Sequence, residues 1–204
     1  MPKVVLTYFN FKAVGESIRL LLLYGGQEFE DIRLTSEEWR QYKPTTPFGQ
    51  APVVEIDDKK YAQSMAISRY LGRKYGLAGA TLEEDLEIDM IVDYINEIRA
   101  KGFEVRYEKD EAIQTRKHAD FTQNVYPVML NRLNDIIEKN NGYIALGKLT
   151  WADFLFAGMF DYLKMMMRTP DLEEKYPNFK KVVDRVHALP QLQEYLANAP
   201  KTTH

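Results

Sequence analysis

The sequence contains no cysteine among its 204 residues. That absence excludes a disulfide framework, a thiolate metal site and a thiol nucleophile belonging to the chain itself, so any sulfur chemistry requires a borrowed thiol. Histidine is scarce too. His118, His187 and His204 are scattered without ligand spacing, which gives no basis for a metal centre or a histidine base. Excess charge of either sign is missing, with 27 Lys+Arg against 30 Asp+Glu and a net charge of -3. No global positive field exists to collect nucleic acid or anionic lipid headgroups. The most apolar stretch, Leu149 to Met167, is interrupted by Asp153, Asp161 and Lys164 and cannot span a bilayer. The amino terminus, Met1-Pro2-Lys3-Val4-Val5-Leu6, lacks the apolar core and cleavage site of a signal peptide. A soluble, cytoplasmic protein is the expectation. What is present is a globular composition, 45% hydrophobic and 28% charged, in a chain long enough for one medium domain or two small ones.

Periodicity divides the chain. Lys3 to Phe9 is β-rich, and Glu16 to Tyr24 carries a dense apolar stripe that stops at Gly25-Gly26. Glu28 to Leu34 sets Phe29 and Ile32 among charges as a short strand does, and a long polar loop with Trp39, Pro44 and Pro47 follows. Pro52 to Ile56 predicts a strand that starts on proline, and Asp57-Asp58 turns it back into Lys59-Lys60-Tyr61-Ala62 as an antiparallel hairpin. Ser64 is the expected cap of a helix that ends before Gly76. After about Gly79 the strands stop. Ile88, Ile91, Val92, Ile95 and Ile98 mark a long amphipathic helix, and a second is expected from Glu111 to Lys139, bent at Pro127. Thr150-Trp151-Ala152-Asp153 has capping-box form with Asp in the place of Glu, and shorter helices follow Pro177 and Pro190. The expectation is an α/β unit ordered βαβ then ββα over residues 1–78, and an all-α unit over 81–204. The join is too short for a flexible linker, so the two should pack tightly.

That strand order is the order of a thioredoxin-like sheet, yet the Cys-x-x-Cys of that fold is missing. Five segments stand in order instead. They are Leu6-Thr7-Tyr8-Phe9-Asn10; Glu37-Glu38-Trp39 with Lys43; Pro47-Phe48-Gly49-Gln50-Ala51-Pro52; Gln63-Ser64 with Ala66-Ile67-Ser68-Arg69-Tyr70-Leu71; and Leu146-Gly147-Lys148-Leu149-Thr150-Trp151-Ala152-Asp153. Together they resemble the glutathione transferases over essentially the whole chain. Within that family they resemble the sigma class, which also contains glutathione-dependent prostaglandin D synthases and lens crystallins.

The resemblance implies an enzyme with glutathione as co-substrate and Tyr8 as its catalytic residue. Tyr8 ends the first strand, where open α/β sheets place ligands, and its phenol is able to donate to a glutathione sulfur. A free thiol of pKa about 8.5 is only about 3% ionised at pH 7, and lowering that pKa by about two, worth roughly 2.7 kcal/mol, makes it mostly thiolate. On residues alone Tyr8 is equally one of 13 tyrosines, ending a buried strand. Ser64 at a helix start suits a glutamyl carboxylate, though plain capping would also explain it. The resemblance further implies a cis Ala51-Pro52 bond that exposes the backbone of Ala51 to the cysteinyl part. It places Gly49, Gln50 and Gln63 along the peptide and Trp39 and Lys43 at its glycine end.

Asp89, Asp93 and Glu97 share one stripe of the first long helix, an arrangement that is ordinarily just a solvated face. In sigma-class relatives that stripe faces a dimer axis and a carboxylate matching Glu97 reaches the other subunit's glutathione. Asn96 stands where some members place an acidic cation ligand. Phe48 matches the aromatic key of such homodimers. Phe9, Val14, Arg99, Phe103 and the carboxyl-terminal tail are expected to form the pocket for a small hydrophobic electrophile. Val14 departs from the arginine that the prostaglandin D synthases carry. The function so implied is conjugation of glutathione to lipid-peroxidation aldehydes and aryl halides, with peroxidase activity on organic hydroperoxides. Two alternatives are a glutathione-dependent prostaglandin D isomerase and a noncatalytic, crystallin-like or ligand-carrying relative.

Overall fold

The computed structural model describes residues 2–200 and residue 202; Met1, Lys201, Thr203 and His204 lie outside them. Strand β1 (Val4–Phe9) is buried along nearly its whole length. Helix α1 (Ala13–Tyr24) starts three residues earlier than its apolar stripe predicts and stops at Gly25, whose N–H reaches Leu21 O at 3.0 Å. Strand β2 (Glu30–Leu34) lies parallel to β1 and brings Arg33 opposite Tyr8. Strand β3 (Val53–Ile56) runs antiparallel on the other side of β1, with Val54 opposite Leu6. Strand β4 (Lys59–Ala62) closes the expected hairpin, and the four strands stand in the order β2-β1-β3-β4. This is the thioredoxin-like sheet. Helix α3 (Ser64–Lys74) follows and packs beside α1.

Three local expectations are corrected here. The polar stretch after β2 contains helix α2 (Ser36–Tyr42), so Trp39 sits on a helix and not a loop. Helix α2 buries no residue completely, which hides it from any periodicity test, but Thr35 and Glu38 form a full capping box that starts it. Lys43 opens a single 3-10 turn to Thr45. Ser64 is the first helical residue of α3 and not its cap; that place belongs to Gln63, at φ 74°. A left-handed backbone at a glutamine costs about 1–3 kcal/mol and is kept where surroundings impose it. Third, the helix predicted over 111–139 runs without a gap but is not uniform: α5 (Glu111–Asp120) passes into α6 (Tyr126–Lys139) through Phe121–Val125, which winds wider as a π-helical stretch. Pro127 is the second residue of α6, directly after the wide turns.

The all-helical part begins with α4 (Leu82–Arg106), capped by Thr81, whose hydroxyl accepts from Glu84 N at 3.2 Å. Helix α7 (Trp151–Met167) is its centre, and only Asp161, Lys164 and Met165 of it escape full burial. Helix α7 lies directly on α1, and a Cβ at Gly158 would come within 2.5 Å of Ser17 N, so glycine permits that approach. The chain then passes through a short helix, α8 (Leu172–Lys175), absent from the sequence expectation. It ends in α9 (Pro177–His187) and α10 (Gln193–Asn198). Among the described residues no helix is long and apolar enough to cross a membrane.

Candidate functional site

An open cavity of about 610 Å³ lies where the sheet unit meets α4. The sheet unit contributes Trp39, Gln50, Ala51, Pro52, Gln63 and Ser64; α4 contributes Arg99, Ala100, Phe103 and Glu104; Phe9 and Val14 stand between them. The strand–turn–helix pattern after β1 and the two loops that end at β3 and α3 bring these residues to one end of the sheet. Ala51-Pro52 is cis, and Gln63 Nε2 donates to Gln50 Oε1 at 3.1 Å across the cavity edge. Behind them the first amides of α3 have no partners within the helix, a ready place for a carboxylate. Trp39 packs edge-on against Phe9, ring centroids 5.4 Å apart.

Tyr8 is not part of the cavity wall in the same sense, being only 5% exposed. Its ring packs edge-on against both Phe9 and Phe11, which stack on each other, and the first turn of α1 comes so close that a Cβ on Gly15 would lie 2.1 Å from Tyr8 Cδ1. Only glycine at position 15 leaves room for that ring. Burial pushes the Tyr8 phenol well above its ordinary value, the nearby Tyr162 adds to the rise, and Arg19 and Arg99 oppose it. A phenol of ordinary acidity already keeps its proton at neutral pH and burial only reinforces this, so toward a thiolate Tyr8 is a hydrogen-bond donor.

Of the other residues singled out in the sequence, Lys43 and Gly49 lie together beside the cavity and off its wall, a Cβ at Gly49 falling 3.4 Å from Lys43 Cε. Glu97 is exposed on α4, as is Asp93, while Asp89 on the same stripe is taken by Arg69 Nε at 2.8 Å. Phe48 projects with 65% of its surface exposed. Helix α4 also carries Leu82, Leu86 and Met90 outward at helical spacing, each more than 60% exposed. A groove of about 420 Å³ opens beside them, lined by Leu86, Met90 and Ile91 and, from α6, Ile136.

Sequence reasoning missed a second set of groups near Tyr8. Tyr162 on α7 is buried and hydrogen-bonded to Tyr107, with Arg99 and Arg106 close enough to oppose the effect of burial on its phenol. Tyr107 in turn stacks on Phe103 at 4.2 Å between centroids. This places two hydroxyls and two guanidinium groups beside the apolar Phe103. No motif announces the pair, since α4 and α7 meet only in the fold; the one signal was that Arg99, Phe103 and Tyr107 recur at four-residue spacing.

Residues 4–73 match the family model for the N-terminal domain of glutathione S-transferases, and residues 96–199 match the model for their C-terminal domain. The chain is 61% identical over 201 residues to glutathione S-transferase 2 of Manduca sexta, covering 98% of each. It is 36% identical over 205 residues to the hematopoietic prostaglandin D synthase of Gallus gallus, covering 99% of each. The solved structure of a prostaglandin synthase D of Nilaparvata lugens superposes with a TM-score of 0.93 at 39% identity, covering 98% of this chain and all of that one. A thioredoxin-like sheet without its own thiol, joined to an all-helical unit across such a cavity, is thus explained: the chain belongs to the glutathione S-transferase family, whose members use glutathione as co-substrate.

Proposed function

We propose that Tyr8 activates glutathione by donating a hydrogen bond to its sulfur, and that the thiolate attacks small hydrophobic, carbonyl-bearing electrophiles such as lipid-peroxidation aldehydes. The observation that carries this reading is the buried phenol of Tyr8, packed against Phe9 in the wall of a cavity with two chemically different sides. On the polar side Gln50, Gln63 and Ser64 suit the glutamyl end. The backbone freed by the cis Ala51-Pro52 bond suits the cysteinyl part, and Trp39 and Lys43, with Gly49 beside them, suit the glycine end. On the other side Phe9, Val14 and Phe103 suit an alkyl or aryl body, while Arg99 on the same wall, with the Tyr107 and Tyr162 hydroxyls behind it, suits an oxygen that gains negative charge. The same donors suit the nitro group of an aryl halide or the leaving oxygen of a hydroperoxide.

The sigma class, a cytoplasmic location and a detoxifying role belong to the same proposal, as does a homodimer. Exposed Phe48 needs a cover, and the groove beside Leu86, Met90 and Ile136 is apolar enough to receive it from a second copy. Glu97 would then lie near the dimer axis, within reach of the second copy's glutathione amine. Phe48→Ser is expected to weaken dimerisation at least about tenfold in sedimentation runs; an unchanged dissociation constant would remove the key.

Isomerisation of a prostaglandin endoperoxide is the second reading, favoured by the likeness to prostaglandin D synthases. Val14 weighs against it, because an arginine there would add positive charge beside the thiolate. Val14→Arg is expected to lower the bound thiol's pKa by about half to one pH unit, read from thiolate absorbance against pH. Turnover of a chlorodinitrobenzene-type substrate and of a lipid aldehyde, alongside glutathione calorimetry, tests the function itself. Binding with turnover supports the transferase, binding without turnover points to an isomerase or carrier, and failure to bind glutathione overturns the reading.

A further inference from the structure

Under the Tyr8 ring lies a closed ring of charges. Arg19 is fully buried, its Cζ 5.8 Å from the Tyr8 ring centroid. It donates from Nε to both oxygens of Asp31 at 3.1 and 3.0 Å, and from Nη1 to Glu16 Oε2 at 3.2 Å. Two more bonds go to main-chain oxygens, of Phe11 at 3.1 Å and Phe9 at 3.4 Å. Those carbonyls bracket the turn that immediately follows Tyr8. Glu16, 4% exposed, also accepts from the Tyr195 hydroxyl, 2.9 and 3.0 Å from its two oxygens. Arg33 completes the circuit, with Nη2 donating to the same hydroxyl at 3.3 Å and Nε to Asp31 at 2.8 Å.

Two guanidinium groups and two carboxylates balance, and a single phenol from α10, 179 residues away from Glu16, ties them together. We propose that Tyr195 is a positioning residue for catalysis, acting through Glu16 and Arg19 on the turn and the field around Tyr8. The inference rests on the reading of Tyr8 as the thiolate's donor. Its logic is electrostatic. The Tyr195 proton draws part of Glu16's negative charge away from Arg19, which leaves more of the guanidinium's field for a negative charge above Tyr8. Without that hydroxyl Glu16 depends on Arg19 alone. The guanidinium then shifts toward it, and the bond to Phe9 O, the longest Arg19 makes, is the first to go. Burial and Glu16 both push the Tyr195 phenol upward, so the donor keeps its proton throughout the neutral range. The titratable groups facing Tyr8 from the neighbouring elements are Arg19 from α1, Arg99 and Tyr107 from α4, and Tyr162 from α7. Of these, Arg19 is the group that belongs to the circuit Tyr195 closes, so it is through Arg19 that a change at Tyr195 reaches Tyr8.

The test is Tyr195→Phe, which keeps the ring and removes only the hydroxyl. The expected result is a bound-thiol pKa raised by about half a pH unit, with kcat at pH 6.5 down about threefold and KM for glutathione within about twofold. Tyr8→Phe and the double variant are titrated alongside, and because Arg19 acts both on the thiolate and on the turn that sets Tyr8, the double variant is expected to rise beyond Tyr8→Phe by less than the shift of Tyr195→Phe alone. A lowered Tm with an unmoved pH profile would make Tyr195 a packing residue and overturn the inference. So would a normal profile in Tyr195→Phe when Tyr8→Phe shifts its own, which leaves the Tyr8 reading standing. An unshifted Tyr8→Phe removes that reading, and the inference with it. Should Tyr195→Phe fail to fold, Arg33→Lys, which keeps the charge and loses the fork between Tyr195 and Asp31, is expected to raise the thiol pKa in the same direction, and an unchanged value there overturns the inference equally.

Discussion

Tyr8→Phe is expected to cut conjugation about 30- to 100-fold at pH 6.5 to 7 while leaving glutathione affinity within about threefold. The aromatic ring is kept against Phe9, Phe11 and Gly15, so the sheet and the start of α1 should keep their packing. What is lost is one donor aimed at sulfur. If that bond, with the surrounding dipoles, lowers the thiol pKa by about two, its removal returns most of the bound thiol to the neutral form near pH 7. The loss should therefore shrink as pH rises toward 9, where glutathione ionises unaided. Kinetics from pH 6 to 9 with a thiolate absorbance titration measure both quantities. Equal turnover in the two proteins at every pH would take Tyr8 out of the chemistry.

The largest effect on stability is expected at Asp153. Its carboxylate is fully buried and holds three donors at the start of α7: Ile144 N–H at 3.0 Å, Thr150 N–H at 2.8 Å and the Thr150 hydroxyl at 2.9 Å. Asp153→Ala leaves all three without an acceptor beneath the helix that fills the core. At about 1–3 kcal/mol for each stranded donor, less the relief of no longer burying a carboxylate, the net cost is about 3 kcal/mol. For a chain of this length that is a fall in Tm of roughly 6–12 °C, and calorimetry on the variant reads it directly; an unchanged Tm would show that the cap carries nothing. Burial pushes the Asp153 carboxyl up to about 6, the hydrogen bonds and Arg185 pulling partly back. The folded chain therefore binds this proton more tightly than the unfolded one. Its contribution to stability is complete below about pH 4 and is lost as pH rises through 6. Asp153→Asn cannot titrate and should lack that decline.

How much of this was legible beforehand follows from the range of each interaction. The hairpin around Asp57-Asp58 and the cap at Thr150 and Asp153 are settled within a few residues, and both are where the sequence puts them. Helix α2 was equally local but carried the wrong signal, since it buries no full face and is started by a capping box that an apolar count overlooks. In the helix over 111–139 Pro127 marks where regular winding is lost, but nothing local tells that the loss takes the form of wide turns just before it, at Phe121–Val125. In the site, the motifs contain Gln50, Ala51, Pro52, Gln63 and Ser64, which line the polar side of the cavity. They do not reach Tyr107 and Tyr162, because their meeting depends on how α4 crosses α7.

The sequence by itself determined that the chain is globular, that it must borrow its thiol, that the strands and helices of its first unit follow in the order βαβ then ββα with a hairpin at Asp57-Asp58, and that Tyr8 lies at the carboxyl end of the first strand. Those properties depend on composition, on alternation over a few residues and on turn chemistry, all of which act at short range. Only the tertiary structure decided that Tyr8 is buried and its phenol pushed further upward, that Tyr107 and Tyr162 come together, and that Tyr195 closes a circuit with Glu16, Arg19, Asp31 and Arg33. A phenol's acidity and a carboxylate's partner are set by what excludes water and what charge stands nearby, and both come from helices far apart in the chain.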